Sequence, residues 1–521
     1  MSSKNILIML GIISLIVFIL FYNFIYWEIG TYSPHSPDES NGLFFAKQII
    51  ENSEFIWKSQ LNERYNVPFF MPRGSVRVGK NLYAPLTAPY FILIIALSFL
   101  FKFKYFIVSI SGVIGILFFY LLVQYVFKSK KLGLIGAILL AFFPPYVLYT
   151  NICVDIIPSL VFWIGSLYYF VRFLNEDDHR FLVLCTLFFI VSIAIRPPHI
   201  LLAIAYLVPL IMYYKKLFTF RNLSVALSVS VIFVILFFGI NHSVYGSFFS
   251  TGRTIIGRDI AEAGVIKTLM RIDFNLHAVS RAFNNYLLHY GTLIFVGGVL
   301  GIILLKQTNN KMVKTLVYSL IPLSIILLFY FGSNPTFYGF SQTRLQSSLS
   351  RYFLPIYVCL IISTVYFLSI LKNCKIKTLF ITILIVNIQI FTFGSAGSLI
   401  DLTLVKEKLY KYNKMVKTTP QKSIFIVKQY DKYIILDRPV MLMWNNEDLE
   451  KHPSIEYFYP LLDIDRDLIP IIQKLQNDGY TVYISTESLH AEKKLKKENY
   501  KLMKIENTPF MVCVGKVHKG R

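Results

Sequence analysis

Apolar residues fall along this chain in long uninterrupted runs, at a length that matches the thickness of a bilayer. A membrane-crossing helix needs ~20 apolar residues. The runs 5–27, 105–127, 132–150, 156–174, 181–195, 200–214, 223–241, 287–305, 314–332, 352–371 and 378–396 predict about eleven transmembrane helices. A further run, 85–101, breaks the alternation of loops. As a full span it would put Lys128–Lys131 on the opposite side and invert every later loop. It predicts instead a helix lying at, or dipping into, the outer interface, with Lys102 and Lys104 at its end. The first outer loop then runs over residues 28–104.

After residue 400 the pattern changes. Ser423–Val427, Pro439–Met443 and Thr481–Ile484 predict strands. Leu468–Asn477 predicts a helix closed by Asp478-Gly479, and 488–498 predicts a second helix. The expected fold is an all-α polytopic membrane domain over residues 1–400 with a small soluble α/β domain over 401–521.

Composition agrees with this. Of 521 residues, 55% are hydrophobic and only 16% charged, against roughly 25% in soluble domains. The net charge of +23 would suit a nucleic-acid binder if it lay on one soluble face. It lies mostly in short loops between apolar runs, so that reading is excluded. Lys4, the Lys128/Lys130/Lys131 cluster, Arg180, Lys215/Lys216/Arg221, Lys306/Lys311/Lys314 and Lys372/Lys375/Lys377 all fall inside if the N-terminus is inside. An odd number of spans then places 401–521 outside, with the plasma membrane as the expected location. The first run follows Lys4 but is too long for a signal-peptide core and lacks a small-residue cleavage site, so it reads as a retained helix. The five cysteines show no ligand spacing, and neither a disulfide framework nor a zinc site is expected.

Residues 1–400 contain only 13 acids, which makes each one informative. Ser36-Pro37-Asp38-Glu39-Ser40 follows the first span and reads as a helix N-cap with acids at its positive end. The same helix would also present a carboxylate as a general base. Asp155 is the sole acid between Glu63 and Glu176 and sits among Val and Ile at a membrane boundary. A carboxylate there needs a wet cavity or a cation, unless it is an exposed loop residue starting the next helix. Arg196-Pro197-Pro198-His199 joins two runs of about fifteen residues, each ~22 Å long as a helix, less than the ~30 Å hydrocarbon core. Arg196 either snorkels to the surface or meets an anion, for which a lipid phosphate is the natural candidate. Arg351, in Ser348–Pro355, poses the same question, with Arg344, Lys80, Arg73 and Arg77 as further outer-side cations. Together these describe an outer cavity with two carboxylate stations and several cations at headgroup depth. Such a site suits a lipid-phosphate substrate, for glycosyl transfer, phosphoryl transfer or transport.

The order of these motifs resembles the GT-C membrane glycosyltransferases, in particular the group of protein O-mannosyltransferases, the aminoarabinose transferase of lipid A and their RgtA/B/C/D-like relatives. The resemblance rests on Ser36–Glu39, on Gly79–Pro89 (GKNLYAPLTAP), on Asp155 after the third span, on Arg196-Pro197 after the fifth, and on Arg351-Tyr352-Phe353-Leu354-Pro355. It implies that Asp38 is the general base that deprotonates an acceptor hydroxyl. The hydroxyl attacks a polyprenyl-phosphate-linked sugar with inversion. Lys80, Arg196, Arg351 and Tyr352 would hold the donor phosphate. Glu39 and Asp155 would bind the acceptor, the sugar or a divalent cation. Two departures are visible: Lys80 lies several residues from the expected proline, and there is no zinc-binding His set; Trp444–Asp448 is only a distant likeness of the oligosaccharyltransferase WWD motif, which disfavours transfer of an N-glycan en bloc. The rival is a flippase or transporter of a lipid-linked saccharide. Such proteins place polar sites near the midplane, whereas the runs 105–127, 223–241 and 378–396 have almost no charged interior. A phosphoethanolamine-type transferase would need a metal cluster in a large soluble domain, which the tail does not supply.

Overall fold

The computed structural model describes residues 11, 13–29, 33–34, 36–101, 105–252, 255, 275–333, 348–427, 434–444, 462–506 and 508–516. Lys4, Lys102, Lys104, Arg344 and residues 445–448, singled out above, lie outside them. The chain forms two compact units. The first comprises Met1–Gly30, Phe103–Phe237 and Leu269–Leu404; the second comprises Thr31–Lys102, Phe238–Thr268 and Val405–Arg521.

The first unit is helical. Among the described residues of the whole chain, six helices are long and apolar enough to cross a membrane, or seven if a bent pair counts as one span. Four more of the expected spans are shorter apolar helices: Ile13–Tyr22, His179–Ile195, Pro197–Met212 and Leu354–Ile370. The bent pair, Lys130–Phe142 and Pro144–Thr150, turns by 63°. Its cause is local. Pro144 forces the preceding Phe143 out of the helical region, to ψ 126°. Large apolar side chains face outward, such as Ile211 at 75% exposure, the surface expected where lipid replaces water. Close packing between helices uses small residues: a Cβ on Gly301 would meet the Ser363 carbonyl oxygen at 2.1 Å.

The second unit joins the loop expected on the outer side to the tail. The tail holds a six-stranded sheet in the order Leu462–Asp463, Val440–Trp444, Ser423–Val427, Thr481–Ser485, Phe510–Lys516, Tyr500–Lys504. The first four strands run parallel, and the last two add antiparallel. Helices Leu468–Asn477 and Leu489–Lys497 pack on it through Leu468, Ile472, Leu475, Ala491 and Leu495. Tyr65, Phe69 and Phe70 of the outer loop enter this same core. The loop carries its own three-stranded antiparallel sheet, Trp57–Lys58, Leu82–Pro85 and Ser75–Gly79. Buried Asn62 ties that sheet down: its amide nitrogen donates to the Phe70 carbonyl (2.9 Å) and the Tyr83 hydroxyl (2.8 Å). The expected interfacial helix is Pro89–Leu100. Assigned by sequence to the membrane domain, the outer loop thus shares its hydrophobic core with the tail.

Candidate functional site

Asp155 and Arg196 are brought together by the geometry of a helical hairpin. Helices Ile156–Glu176 and His179–Ile195 are joined by Asp177-Asp178 and pack along their length. A link that short makes the two antiparallel. The residue before the first and the residue after the second therefore emerge at one end. Asp155 is the N-cap residue of the first helix, and Arg196 the C-cap of the second. Arg196 Nη1 donates to Asp155 Oδ1 at 2.5 Å. The arginine side chain is 2% exposed and the aspartate 15%. Arg196 therefore does not snorkel, and the cation that Asp155 called for is Arg196 itself.

The pair extends to a third element. The Arg196 guanidinium lies over the Tyr352 ring, 4.7 Å from its centre, and the Arg351 guanidinium lies 5.3 Å from the same centre. Tyr352 is stacked on Phe331 (4.5 Å, 10°), which fixes the ring. Neighbouring Ser350 shares a 2.9 Å hydrogen bond with the Tyr149 hydroxyl. Among the described residues, Arg196 Nη2 is buried with no hydrogen-bond partner. A charged donor in that state is costly unless something arrives to accept from it. The segment after Arg196 is braced from behind. Buried His199 shares hydrogen bonds through Nδ1 with Ser159 Oγ (2.5 Å) and Ser192 Oγ (3.0 Å), one from each helix of the hairpin.

The second unit carries the acidic turn. Helix Pro37–Asn52 opens with Ser36 as N-cap, Pro37 in the first turn and a full capping box. Asp38 is half-buried, whereas Glu39, Ser40 and Asn41 are buried. Glu39 is engaged on both oxygens: Oε2 accepts from the Ser36 amide (3.2 Å), and Oε1 accepts from Lys406 Nζ (3.0 Å). Lys80 is exposed in the turn between strands Ser75–Gly79 and Leu82–Pro85. With Lys58, Glu63, Asn66 and Asn81 it lines a cavity of about 430 Å³. Arg77 Nε donates to the Gly79 carbonyl (3.2 Å).

Of the residues singled out in the sequence, the first unit therefore assembles Asp155, Arg196, Arg351 and Tyr352. The second carries Asp38, Glu39 and Lys80. Among the described residues no group of three or more His, Cys, Asp or Glu side chains converges as a metal site. Sequence reading missed Lys406, which is one of many tail lysines and carries no local signal. It also missed the bracing serines Ser159 and Ser192, which look like ordinary small residues in an apolar helix.

Residues 84–240, less than half of the chain, match the family model described as dolichyl-phosphate-mannose-protein mannosyltransferase. Among solved structures, ArnT from Cupriavidus metallidurans bound to undecaprenyl phosphate is similar at 12% identity, over 98% of both chains, with a TM-score of 0.57. The archaeal oligosaccharyltransferase AglB from Archaeoglobus fulgidus, in complex with an inhibitory peptide and a dolichol-phosphate, is similar at 13% identity. That match covers 98% of this chain and 74% of AglB, with a TM-score of 0.51. No curated protein matches the chain in sequence. The class is thereby defined: the chain has the GT-C fold of polytopic membrane glycosyltransferases, completed by a small α/β region at its C-terminal end.

Proposed function

We propose that this chain is a membrane glycosyltransferase that moves a sugar from a polyprenyl-phosphate carrier to a hydroxyl of a glycan, lipid or protein. In this reading the N-terminus is cytoplasmic, and transfer occurs at the outer face of the plasma membrane. The observation that carries the proposal is the buried Arg196, with one nitrogen on Asp155, the other without a partner among the described residues, and its guanidinium over the ring it shares with Arg351. Two guanidiniums gathered on one phenol suit a phosphate, which accepts from forked donors.

Asp38 takes the proton of the acceptor hydroxyl. The oxygen attacks the anomeric carbon on the side opposite the carrier, the bond to the phosphate oxygen breaks, and the electron pair leaves on the lipid phosphate. The sugar's anomeric configuration inverts. Arg196 and Arg351 stabilise the charge that grows on the leaving phosphate. Asp155 orients Arg196, and the Tyr352 ring keeps both guanidiniums beside it. Lys80 contributes a cation on the outer loop. Glu39, engaged on both oxygens, sets the turn that presents Asp38.

The test is turnover by purified protein given a panel of polyprenyl-phosphate sugars, with released lipid phosphate read by mass spectrometry. Asp38→Asn should lower transfer by about 10³-fold, the usual weight of a general base, with expression and folding intact. Retained turnover in that variant removes Asp38 from the mechanism. Movement of labelled lipid across liposomes without product would favour the flippase instead.

A further inference from the structure

We propose that the tail serves catalysis by clamping the turn that carries Asp38, with Lys406 as the positioning residue. The proposal rests on Asp38 being the base.

Lys406 belongs to helix Leu399–Thr418 and reaches Glu39 across 367 residues of sequence. Both side chains are 0% exposed. A capping-box glutamate needs no lysine, because its task is finished when it accepts from the N-cap amide. Burying it completely is a different matter. An enclosed carboxylate is strongly unfavourable without a paired cation, so Lys406 is what allows the first turn to be sealed at Glu39. Sealing that side leaves Asp38, the adjacent acid, as the half-buried one.

The pair is one of several ties between the loop and the tail. Lys47 Nζ, two turns along the same helix, donates to the Leu436 carbonyl (3.2 Å). Phe44, like Leu409 and Tyr412, packs against the buried tail cluster that includes Val416 and Phe425. Farther along, the Tyr65 hydroxyl donates to Asp478 (2.5 Å), and Arg64 pairs with the same carboxylate (2.9 Å). Phe70 forms an antiparallel bridge with Met441 of the sheet. A module whose task was to capture an acceptor would not need these contacts along residues 39–70. They are what a scaffold needs when it must keep a short helix from shifting. A displacement of about 1 Å at a reacting group is enough to cost ~100-fold in rate.

The deciding variant is Glu39→Gln/Lys406→Met, which removes both charges and leaves neither one stranded. In the purified full chain, kcat for release of polyprenyl phosphate should fall about 100-fold, with the donor KM within about twofold. Amide hydrogen exchange over residues 38–42 should quicken at least about tenfold, while strands Ser423–Val427 and Thr481–Ser485 keep their protection. Lys406→Arg keeps the charge but must fit a larger planar fork into the sealed site, so its kcat should fall between those of the native chain and the double variant. Native kcat and native exchange in the double variant would overturn the proposal. So would its failure to fold, or loss of protection across the tail strands, since either makes the pair a general stability element. If the native chain turns over no donor at all, the enzyme reading fails, and the exchange measurement decides the clamp by itself.

Discussion

Each unit of the molecule buries an ion pair, and the two pairs are built to opposite specifications. In the helical unit, Arg196 is almost enclosed, its partner Asp155 is 15% exposed, and one guanidinium nitrogen has no partner among the described residues. In the mixed unit, Glu39 and Lys406 are both sealed, and both carboxylate oxygens are satisfied. Buried polar groups are normally paired in full, so an incomplete set invites a ligand, whereas a complete one fixes a shape. By that criterion the first pair suits the proposed chemistry and the second suits architecture.

The contrast is sharpest in Lys406→Met. It strands a carboxylate in a dry site and should cost about 3–5 kcal/mol of stability, read as a lowered unfolding midpoint of the solubilised protein. A loss below about 1 kcal/mol would mean that water reaches Glu39, and the distinction would collapse. Arg196→Met should act the other way round. Activity should fall about 100-fold, the weight of a lost charge-stabilising donor, and the midpoint should move less than in Lys406→Met because Asp155 can rehydrate. If the midpoint collapses equally, Arg196 is architecture as well. Ser36→Ala removes the cap on the Asp38 helix and should cost about 1 kcal/mol, with local exchange as the readout.

The smallest effect concerns an exposed cluster, Asp465 with His490 (3.0 Å) and Lys494 (3.5 Å). The hydrogen bond from His490, joined by the charges of His490 and Lys494, holds the Asp465 carboxyl below its ordinary value of 3.8. Its contribution to stability is present above that value and is lost as pH falls below it toward the depressed folded value. Unfolding midpoints at pH 5 and in strong acid, compared between the native chain and Asp465→Asn, should show a difference only at the higher pH. Since such surface pairs contribute little, the difference should be far smaller than either buried pair produces.

Much of the fold is legible in the sequence, for physical reasons that can be stated. A span of twenty apolar residues has few alternatives to a helix, and the strand Ser423–Val427 and helix Leu468–Asn477 fall where their patterns predict. The hairpin Ser75–Gly79/Leu82–Pro85 went unread, although its two-residue turn leaves Asn81 at φ +59°, a conformation that asparagine tolerates. Strand Tyr500–Lys504 hides because two lysines in five residues read as a polar loop. In the site, Asp155 and Arg196 each announced a missing partner, and the two-residue link of their hairpin held enough information to pair them. Nothing comparable marks Lys406. Its partner is 367 residues away, and only the folded tail distinguishes it from its neighbours.

Among the described residues, the outermost strand of the tail, Tyr500–Lys504, has a neighbour on one side only, at the rim of the six-stranded sheet, with Lys501 and Lys504 exposed along it. A domain tethered to a bilayer meets its own copies by diffusion in two dimensions, where encounters are frequent and an open rim is a template for copy-to-copy zipping. Like charges brought face to face make that addition unfavourable. The lysines that disguise this strand in the sequence are also of the kind that makes such edge-to-edge pairing between copies unfavourable.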